Sequence, residues 1–354
     1  MPGAANTSDT APIYRELAAR LQCSNSKYIP RLLALLAKPE QAAILVALPA
    51  TSGAELAARL GMEPAAVEEQ LRDLFQKGLV FPRRKGGLRM VYSPTELKDA
   101  AGANPRMDSL VGDEFWDLFN RWFDEEAAMW RDTRPPVPGA TDPMMRVIPK
   151  WRAIRDVPGV MWFDDMREIL RGHKNTLAIN PCSCLRISRK QAPPIPHDLC
   201  FVVEATARYC LDRGTARRVS LKEAMDILDL SDRWGLMHIN YNEKPVTRLI
   251  GNCGSYCLVF RWSPPGTLFS VAPSRFQPVV DTAKCIGCGT CAGVCLLGAA
   301  TVRLDPVSGD GRSHIDLERC MGCGNCLVRC PIAAISMKTV RPPESVPDKF
   351  VGYN

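Results

Sequence analysis

The chain has 354 residues, of which 46% are hydrophobic and 23% charged, and its formal net charge is +7 at pH 7. This composition is that of ordinary globular protein, and the length suggests two or three domains. The positive charge is mild for this length, so it permits an acidic partner and gives no reason to require nucleic acid.

The N-terminal segment and the cysteine content indicate where the chain works. Residues 1–17 lack the basic start and apolar core of a signal peptide, and the apolar run at 42–50 is too short to span a bilayer. The chain has 15 cysteines, and without an export signal cysteines are read as metal ligands instead of disulfides. We therefore expect a cytoplasmic protein that has no transmembrane segment and binds metal through thiolates.

The first predicted domain, residues 1–100, has the element order of a winged helix-turn-helix. Thr51 or Ser52 is placed to cap its second helix, and Gly61 is placed to end it. Pro64 opens the third helix and Gly78 closes it. The predicted elements are helices at 41–48, 54–60 and 64–77, and strands at 79–81 and 88–92 around a basic wing at 83–87.

Residues 54–61, followed by a helix that ends in Lys-Gly-Leu-Val, resemble bacterial MarR-like winged-helix domains. In such folds the third helix enters the major groove of DNA. Here its early turns carry Glu63, Glu68 and Glu69, which phosphate groups would repel. We therefore favour a domain that docks protein, with DNA binding as the alternative.

The segment 101–144 contains an aromatic helix and a linker. Large aromatics recur at i, i+4 and i+7 in a helix predicted at 113–131, so they share one face. This face is expected to pack against its own domain, with a partner contact as the alternative. The proline-rich run at 134–139 is predicted to be a linker. The aromatics are Phe115, Trp116, Phe119, Trp122, Phe123 and Trp130.

The third predicted domain, residues 145–270, carries a looser set of cysteines. An apolar stretch at 176–179 is expected to form a buried strand just before a Pro-Cys-Ser-Cys element, and Cys210 is expected to pack inside its own helix. The order of elements is similar to a domain that precedes dicluster ferredoxin modules in iron–sulfur proteins of anaerobes. The matching parts are 181–184, Cys200, 217–224, 235–238 and 252–257.

This second resemblance implies a third metal site, with a [4Fe–4S] cluster favoured over zinc. The match departs from the family because Arg186 follows one residue late and the last motif keeps two cysteines where relatives have more. Reduced, buried cysteines that pack as small hydrophobes are the alternative. His197 and His238 are weaker candidates as ligands. The candidate ligands are Cys182, Cys184, Cys200, Cys253 and Cys257.

The last predicted domain, residues 271–354, contains two identical cysteine runs. Each has the spacing C-x2-C-x2-C-x3-C, in which three thiolates bind one iron–sulfur cube and the fourth reaches its neighbour. Glycines flank the second cysteine of each run, which fits a cube because glycine lets backbone amides approach the cluster sulfurs. The runs are Cys285, Cys288, Cys291 and Cys295, and Cys320, Cys323, Cys326 and Cys330.

Residues 274–338 closely resemble bacterial two-cluster ferredoxins, which implies two [4Fe–4S] clusters. Zinc is the alternative, although zinc sites rarely use three cysteines at successive x2 spacing. Leu296 stands where many ferredoxins have proline, whereas Pro331 keeps the family pattern. By the resemblance, one cluster is held by Cys285, Cys288, Cys291 and Cys330, and the other by Cys320, Cys323, Cys326 and Cys295.

The whole chain is thus predicted to be an α+β multidomain protein with a winged helix-turn-helix, a central α/β cysteine-rich domain and a C-terminal ferredoxin-like dicluster domain. Neither a dinucleotide fingerprint nor a P-loop motif occurs, and no nucleophile–base pair emerges from the spacing. We expect an electron-transfer protein or subunit that serves a redox partner protein or an oxidoreductase complex. A redox-sensing transcription regulator that binds DNA is the alternative.

Overall fold

The computed structural model describes residues 11–83, 86–133, 143–188, 194–304 and 309–351. The predicted linker at 134–139, as well as Arg84 and Lys85 of the predicted wing, lies outside these residues. None of the helices in the described ranges has both the length and the apolar character needed to cross a membrane. The described residues fall into two compact units, here called unit 1 and unit 2. Unit 1 comprises 11–83, 86–133, 181–188, 194–197 and 213–215, and unit 2 comprises 143–180, 198–212, 216–304 and 309–351.

The secondary-structure elements follow in chain order. The first ten are α1 (Pro12–Arg20), α2 (Ile29–Leu36), α3 (Pro39–Ala47), α4 (Gly53–Leu60), α5 (Pro64–Lys77), β1 (Val80–Pro82), β2 (Leu88–Met90), α6 (Pro94–Gly102), α7 (Met107–Glu125) and α8 (Ala127–Thr133). They continue with β3 (Met145–Ile148), α9 (Trp151–Ile154), α10 (Met166–Gly172), β4 (Ala178–Pro181), α11 (Ser183–Ser188), β5 (Asp198–Val202), α12 (Glu204–Asp212), β6 (Arg217–Arg218) and α13 (Leu221–Arg233). The last are β7 (Met237–Tyr241), β8 (Leu249–Cys253), α14 (Leu258–Arg261), β9 (Val271–Ala272), β10 (Phe276–Val280), α15 (Thr290–Gly293), β11 (Ala300–Leu304), β12 (Gly311–Ile315), α16 (Asn325–Val328) and β13 (Ile335–Thr339).

In unit 1, three helices, α3 to α5, lead into the antiparallel hairpin β1–β2. Their bounds agree with the predicted ones to within two residues because the capping residues act as expected. The Ser52 hydroxyl accepts a hydrogen bond from the amide of Glu55, and Gly61 ends α4 with a left-handed backbone. Gly78 ends α5 in the same way.

The aromatic segment of unit 1 forms two helices where one was predicted. Gly112, with a φ of 65°, breaks α7 near its start, and Glu126 separates α7 from α8. The Glu126 carboxylate accepts hydrogen bonds from Ser26 and from the amide of Lys27, which holds the chain at the break. The aromatics on α7 are buried within this unit, as expected for a helix that packs against its own domain, and three of their ring pairs are edge to face.

Unit 2 is built on a seven-stranded sheet with the order β6-β4-β5-β8-β7-β3-β9. Successive side chains of its strands point to opposite faces. Ile179 and Phe201 join a core with residues of α10 and α13, whereas Ala178 and Val202 pack with residues of α12. The ferredoxin-like part of unit 2 consists of two antiparallel strand pairs, β10–β13 and β11–β12, with the short helices α15 and α16.

Candidate metal centre

Two short helices place the third cysteine of each run, and each helix begins after a glycine. Gly289 precedes α15 with a φ of 75°, and Gly324 precedes α16 with a φ of 83°. This left-handed backbone favours glycine, since a Cβ atom makes it costly. Cys291 lies on α15 and Cys326 lies on α16, so the two runs adopt the same local structure.

The eight cysteines of the two runs line two cavities of unit 2. Each cavity takes three cysteines from one run and the fourth from the other run. The first cavity is lined by Cys285, Cys288, Cys291 and Cys330. The second cavity is lined by Cys320, Cys323, Cys326 and Cys295. This grouping is the one that the ferredoxin resemblance implies.

Backbone amides donate hydrogen bonds to sulfurs of both cavities. The distances are 3.2 Å from Ala299 to Cys295, 3.3 Å from Ala334 to Cys330, 3.3 Å from Ser313 to Cys285 and 3.5 Å from Gly322 to Cys320. Donors at these positions stabilise negative charge on sulfur. Such bonds are among the factors that set the reduction potential of an iron–sulfur cluster.

Both linings suit an iron–sulfur cluster better than a single metal ion. Their possible ligands are thiols, because among the described residues neither lining contains a histidine or a carboxylate. A tetrahedral zinc ion holds its four sulfurs at about 2.3 Å and therefore close to one another, whereas among the described residues no three of these eight sulfurs lie within 4.8 Å of one another. Burial raises the pKa of the Cys323 thiol to about 11, so a bound metal would have to displace its proton.

The first cavity faces solvent through an apolar rim. Cys288 is exposed, and Ile286 beside it is 64% exposed. Val302 and Ile332 also line this cavity and are exposed hydrophobic side chains. The Thr290 hydroxyl lies 3.4 Å from the Cys288 sulfur. A cluster in this cavity is therefore within reach of a molecule that docks on the surface.

The second cavity is packed against the α/β part of unit 2. The amide of Lys150 donates to the carbonyl of Cys323 at 2.9 Å. The Asn325 side chain donates to the carbonyl of Gly235 at 2.7 Å. Asn325 occupies the position that Thr290 has in the first half. Thr290 thus places a hydroxyl group beside a cysteine sulfur, whereas Asn325 anchors the module to the α/β part of unit 2.

A buried polar chain starts at this contact, and the sequence singled out only one of its members, His238, as a weaker candidate ligand. The Lys150 ammonium donates to the Asp232 carboxylate at 2.6 Å although the two residues are 82 positions apart. His238 lies 3.0 Å from the same carboxylate and 2.6 Å from the side-chain oxygen of Asn252. Burial opposes ionisation of Asp232, but the bonds from His238 and Lys150 outweigh it and lower its pKa to about 2. His238 is thus a hydrogen-bonded core histidine.

Cys182 and Cys184, two of the candidate ligands for a third site, belong to unit 1. Their sulfurs lie within 4.8 Å of each other, and the Lys98 ammonium lies 3.6 Å from the sulfur of Cys184. Burial disfavours the charge on Lys98, but Asp99 and the two thiols outweigh this and raise its pKa well above the ordinary value. A cation at this position stabilises thiolates.

The other candidate ligands, Cys200, Cys253 and Cys257, belong to unit 2. Cys200 lies on β5, Cys253 ends β8 and Cys257 caps α14. Met237 lines the second cavity and is the antiparallel partner of Cys253. Such partners have Cα atoms within about 5.5 Å of each other, so Cys253 lies one strand away from the second cavity. Cys210 packs in an apolar cluster, as expected.

Comparison with protein families identifies the C-terminal module. Residues 284–334 match the family described as 4Fe-4S dicluster domain. Neither the curated proteins nor the solved structures contain a match to this chain. The family match confirms the prediction of a ferredoxin-type module and supports an iron–sulfur electron-transfer role.

Proposed function

We propose that the chain is an electron-transfer protein, or the electron-transfer subunit of an oxidoreductase, with two [4Fe–4S] clusters in its C-terminal module. The observation that carries this proposal is the pair of cavities, each lined by four cysteines that cross between the two runs. Clusters of this kind move single electrons. The first cluster would be held by Cys285, Cys288, Cys291 and Cys330, and the second by Cys320, Cys323, Cys326 and Cys295.

The two clusters have different roles in this proposal. The first exchanges electrons with a redox partner protein that docks on the apolar rim around Cys288, because this cavity faces solvent. The second passes electrons to or from the α/β part of unit 2, against which it is packed. The many cysteines agree with a cytoplasmic location, where thiols stay reduced.

A third [4Fe–4S] cluster, held by the middle cysteines, extends this route. Two observations support it. Cys182 and Cys184 present adjacent sulfurs beside the cationic Lys98. Cys253 lies one strand from the second cavity through its pairing with Met237. The ligands would come from the five candidates Cys182, Cys184, Cys200, Cys253 and Cys257.

The segment from α3 to β2 acts in this proposal as a winged helix that docks protein. Its third helix, α5, exposes Glu68 and Glu69 on its first turns, and Glu63 is exposed at its N-cap. A basic surface on the partner complements these charges, whereas DNA does not. This leaves the transcription regulator as the less favoured function.

Iron and sulfide content with EPR spectroscopy tests the cluster assignment. Anaerobically purified protein should contain roughly eight irons if two cubes are bound, or about twelve with a third. Four or fewer irons after full reconstitution, or zinc in their place, would contradict the proposal. The reduced protein should show the EPR signal of magnetically interacting clusters.

The double substitution Cys182→Ser with Cys257→Ser tests the third cluster separately. We expect a loss of about four irons, with the dicluster signals unchanged, because the two sites use different ligands. Cys210→Ala is the matched control, since this cysteine packs in an apolar cluster and should keep all the iron. Wild-type protein with eight irons would rule out the third cluster and leave the dicluster proposal intact. Circular dichroism shows whether each variant folds.

A further inference from the structure

The two halves of the dicluster module give their cysteine sulfurs different surroundings. In the first half the hydroxyl groups of Thr290 and Ser313 lie 3.4 and 3.2 Å from the sulfurs of Cys288 and Cys291. Among the contacts of the described residues, no hydroxyl group is bonded to a sulfur of the second cavity. The second half is also less open to water at its second cysteine, since Cys288 is exposed and its counterpart Cys323 is not.

Reduction adds one negative charge to a cluster, so the surroundings of each cluster decide how easily it accepts an electron. Hydrogen bonds to sulfur and contact with water both stabilise that charge. These two criteria do not rank the clusters in one direction, because the amides of Asn325 and Leu327 donate to the sulfurs of Cys323 and Cys326 in the second half, and Cys291 is buried in the first. A fixed positive potential at the second cavity would favour reduction of its cluster.

Lys150 is placed to supply this potential. Its side chain is 2% exposed and its amide donates to the carbonyl of Cys323. Burial raises the pKa of the Cys323 thiol, and the Lys150 ammonium acts in the opposite direction. The partner carboxylate of Asp232 is 19% exposed, so water screens its charge more than that of the lysine. The second cavity therefore experiences more of the positive charge of this pair than of the negative charge.

We propose that Lys150 raises the reduction potential of the second cluster through its buried positive charge, which favours electron transfer onto this cluster. This inference rests on the proposed function, since it needs clusters in both cavities. Lys150 acts as a positioning residue through its fixed charge and does not touch a reacting atom of the clusters. Asp232 and the carbonyl of Leu236, 3.0 Å from the ammonium, hold the charge in place.

The test is an EPR-monitored redox titration of the holoprotein with Lys150→Met, which removes the charge and keeps much of the volume. We expect the potential of one cluster to fall by about 59 mV or more, a tenfold change in a one-electron equilibrium, with the other unchanged. Lys150→Arg keeps the positive charge, so the potential of this cluster should stay close to that of the wild type. The matched control Thr290→Val should lower the potential of the other cluster, because it removes a hydroxyl beside Cys288.

A purely structural role for Lys150 predicts a different pattern. The double variant Lys150→Met with Asp232→Asn removes both charges and avoids an unpaired buried carboxylate. If the second cluster experiences the charge of Lys150 more strongly than that of Asp232, the double variant should still lower the potential of the same cluster. Unchanged potentials in both variants, with eight irons bound, would overturn the inference and leave the proposed function standing. Wild-type protein that binds four or fewer irons after full reconstitution would instead refute the proposed function.

Discussion

Gly322 shows how a single residue governs the shape of the second cavity. Its φ is 65°, and an added Cβ atom would lie 2.1 Å from the carbonyl oxygen of Phe276 and 2.4 Å from the Ser274 hydroxyl. Glycine also lets the backbone amide at this position approach the sulfur of Cys320. The residue is thus required both by the backbone conformation and by the lack of space.

Gly322→Ala should destabilise the module by about 1–3 kcal/mol from backbone strain alone, with a further cost from the clash. We expect loss of the second cluster before the first, measured as iron content and EPR signal after anaerobic purification. Gly293→Ala is the control, because it lies at the end of α15 with a negative φ and no atom within 4 Å of the added Cβ. Full cluster occupancy in Gly322→Ala would show that the loop can shift to make room.

At the scale of a whole element, α5 is the third helix of the proposed winged helix, and its charge does not suit DNA. Pro64 begins it, Gly78 ends it, and Val67, Leu71 and Leu74 bury its inner face. The exposed face of its first turns is acidic. A helix that reads DNA must approach phosphates, and each like charge adds an electrostatic cost to that approach.

Wild-type protein should show no salt-dependent DNA binding at low ionic strength, measured by fluorescence anisotropy with labelled duplex DNA. Replacing Glu63, Glu68 and Glu69 with glutamine should raise non-specific DNA affinity, because three repulsive charges disappear. Clear binding by the wild type that weakens in Arg83→Ala would instead support the regulator. Arg15→Ala, outside the α3–β2 segment, is the control for a general loss of positive charge.

At the scale of the whole molecule, both units are assembled from separated stretches of chain. Unit 1 takes in residues 213–215, where the buried Arg213 donates to the carbonyls of Phe75, Gln76 and Ala100 at 2.9–3.0 Å. Unit 2 takes in the strands that carry the middle cysteines and the dicluster module. The module is therefore one part of a larger unit, with one cavity open to solvent and the other packed inward.

Ile286→Glu should slow electron exchange between the chain and a protein donor several-fold, because it places charge in the apolar rim that the partner covers. Reduction by a small chemical reductant should be unchanged. Stopped-flow spectroscopy with a reduced flavodoxin as the probe measures the first rate, and dithionite measures the second. Leu317→Glu is the control, since this exposed leucine does not line the first cavity. Equal rates in both variants would place the docking surface elsewhere.

The agreement between sequence and structure was closest where local chemistry decides the outcome. Ser52, Gly61 and Gly78 bound α4 and α5 as predicted, because capping depends on a few neighbouring residues. The aromatic segment differed because its break depends on a contact between Glu126 and Ser26, which are 100 residues apart. The spacing of hydrophobic residues within one segment does not indicate a contact with a residue so distant in the sequence.

The sequence by itself determined the ferredoxin-type module, since eight cysteines at repeated spacing with flanking glycines leave few other chemistries for the thiols. The tertiary structure decided which of the two cavities faces solvent and which is packed inward. It also placed Lys150, Asp232 and His238 in one buried chain beside the second cavity. The reason is physical: ligand spacing is a local property of the chain, whereas exposure and buried charge arise only when distant elements pack together.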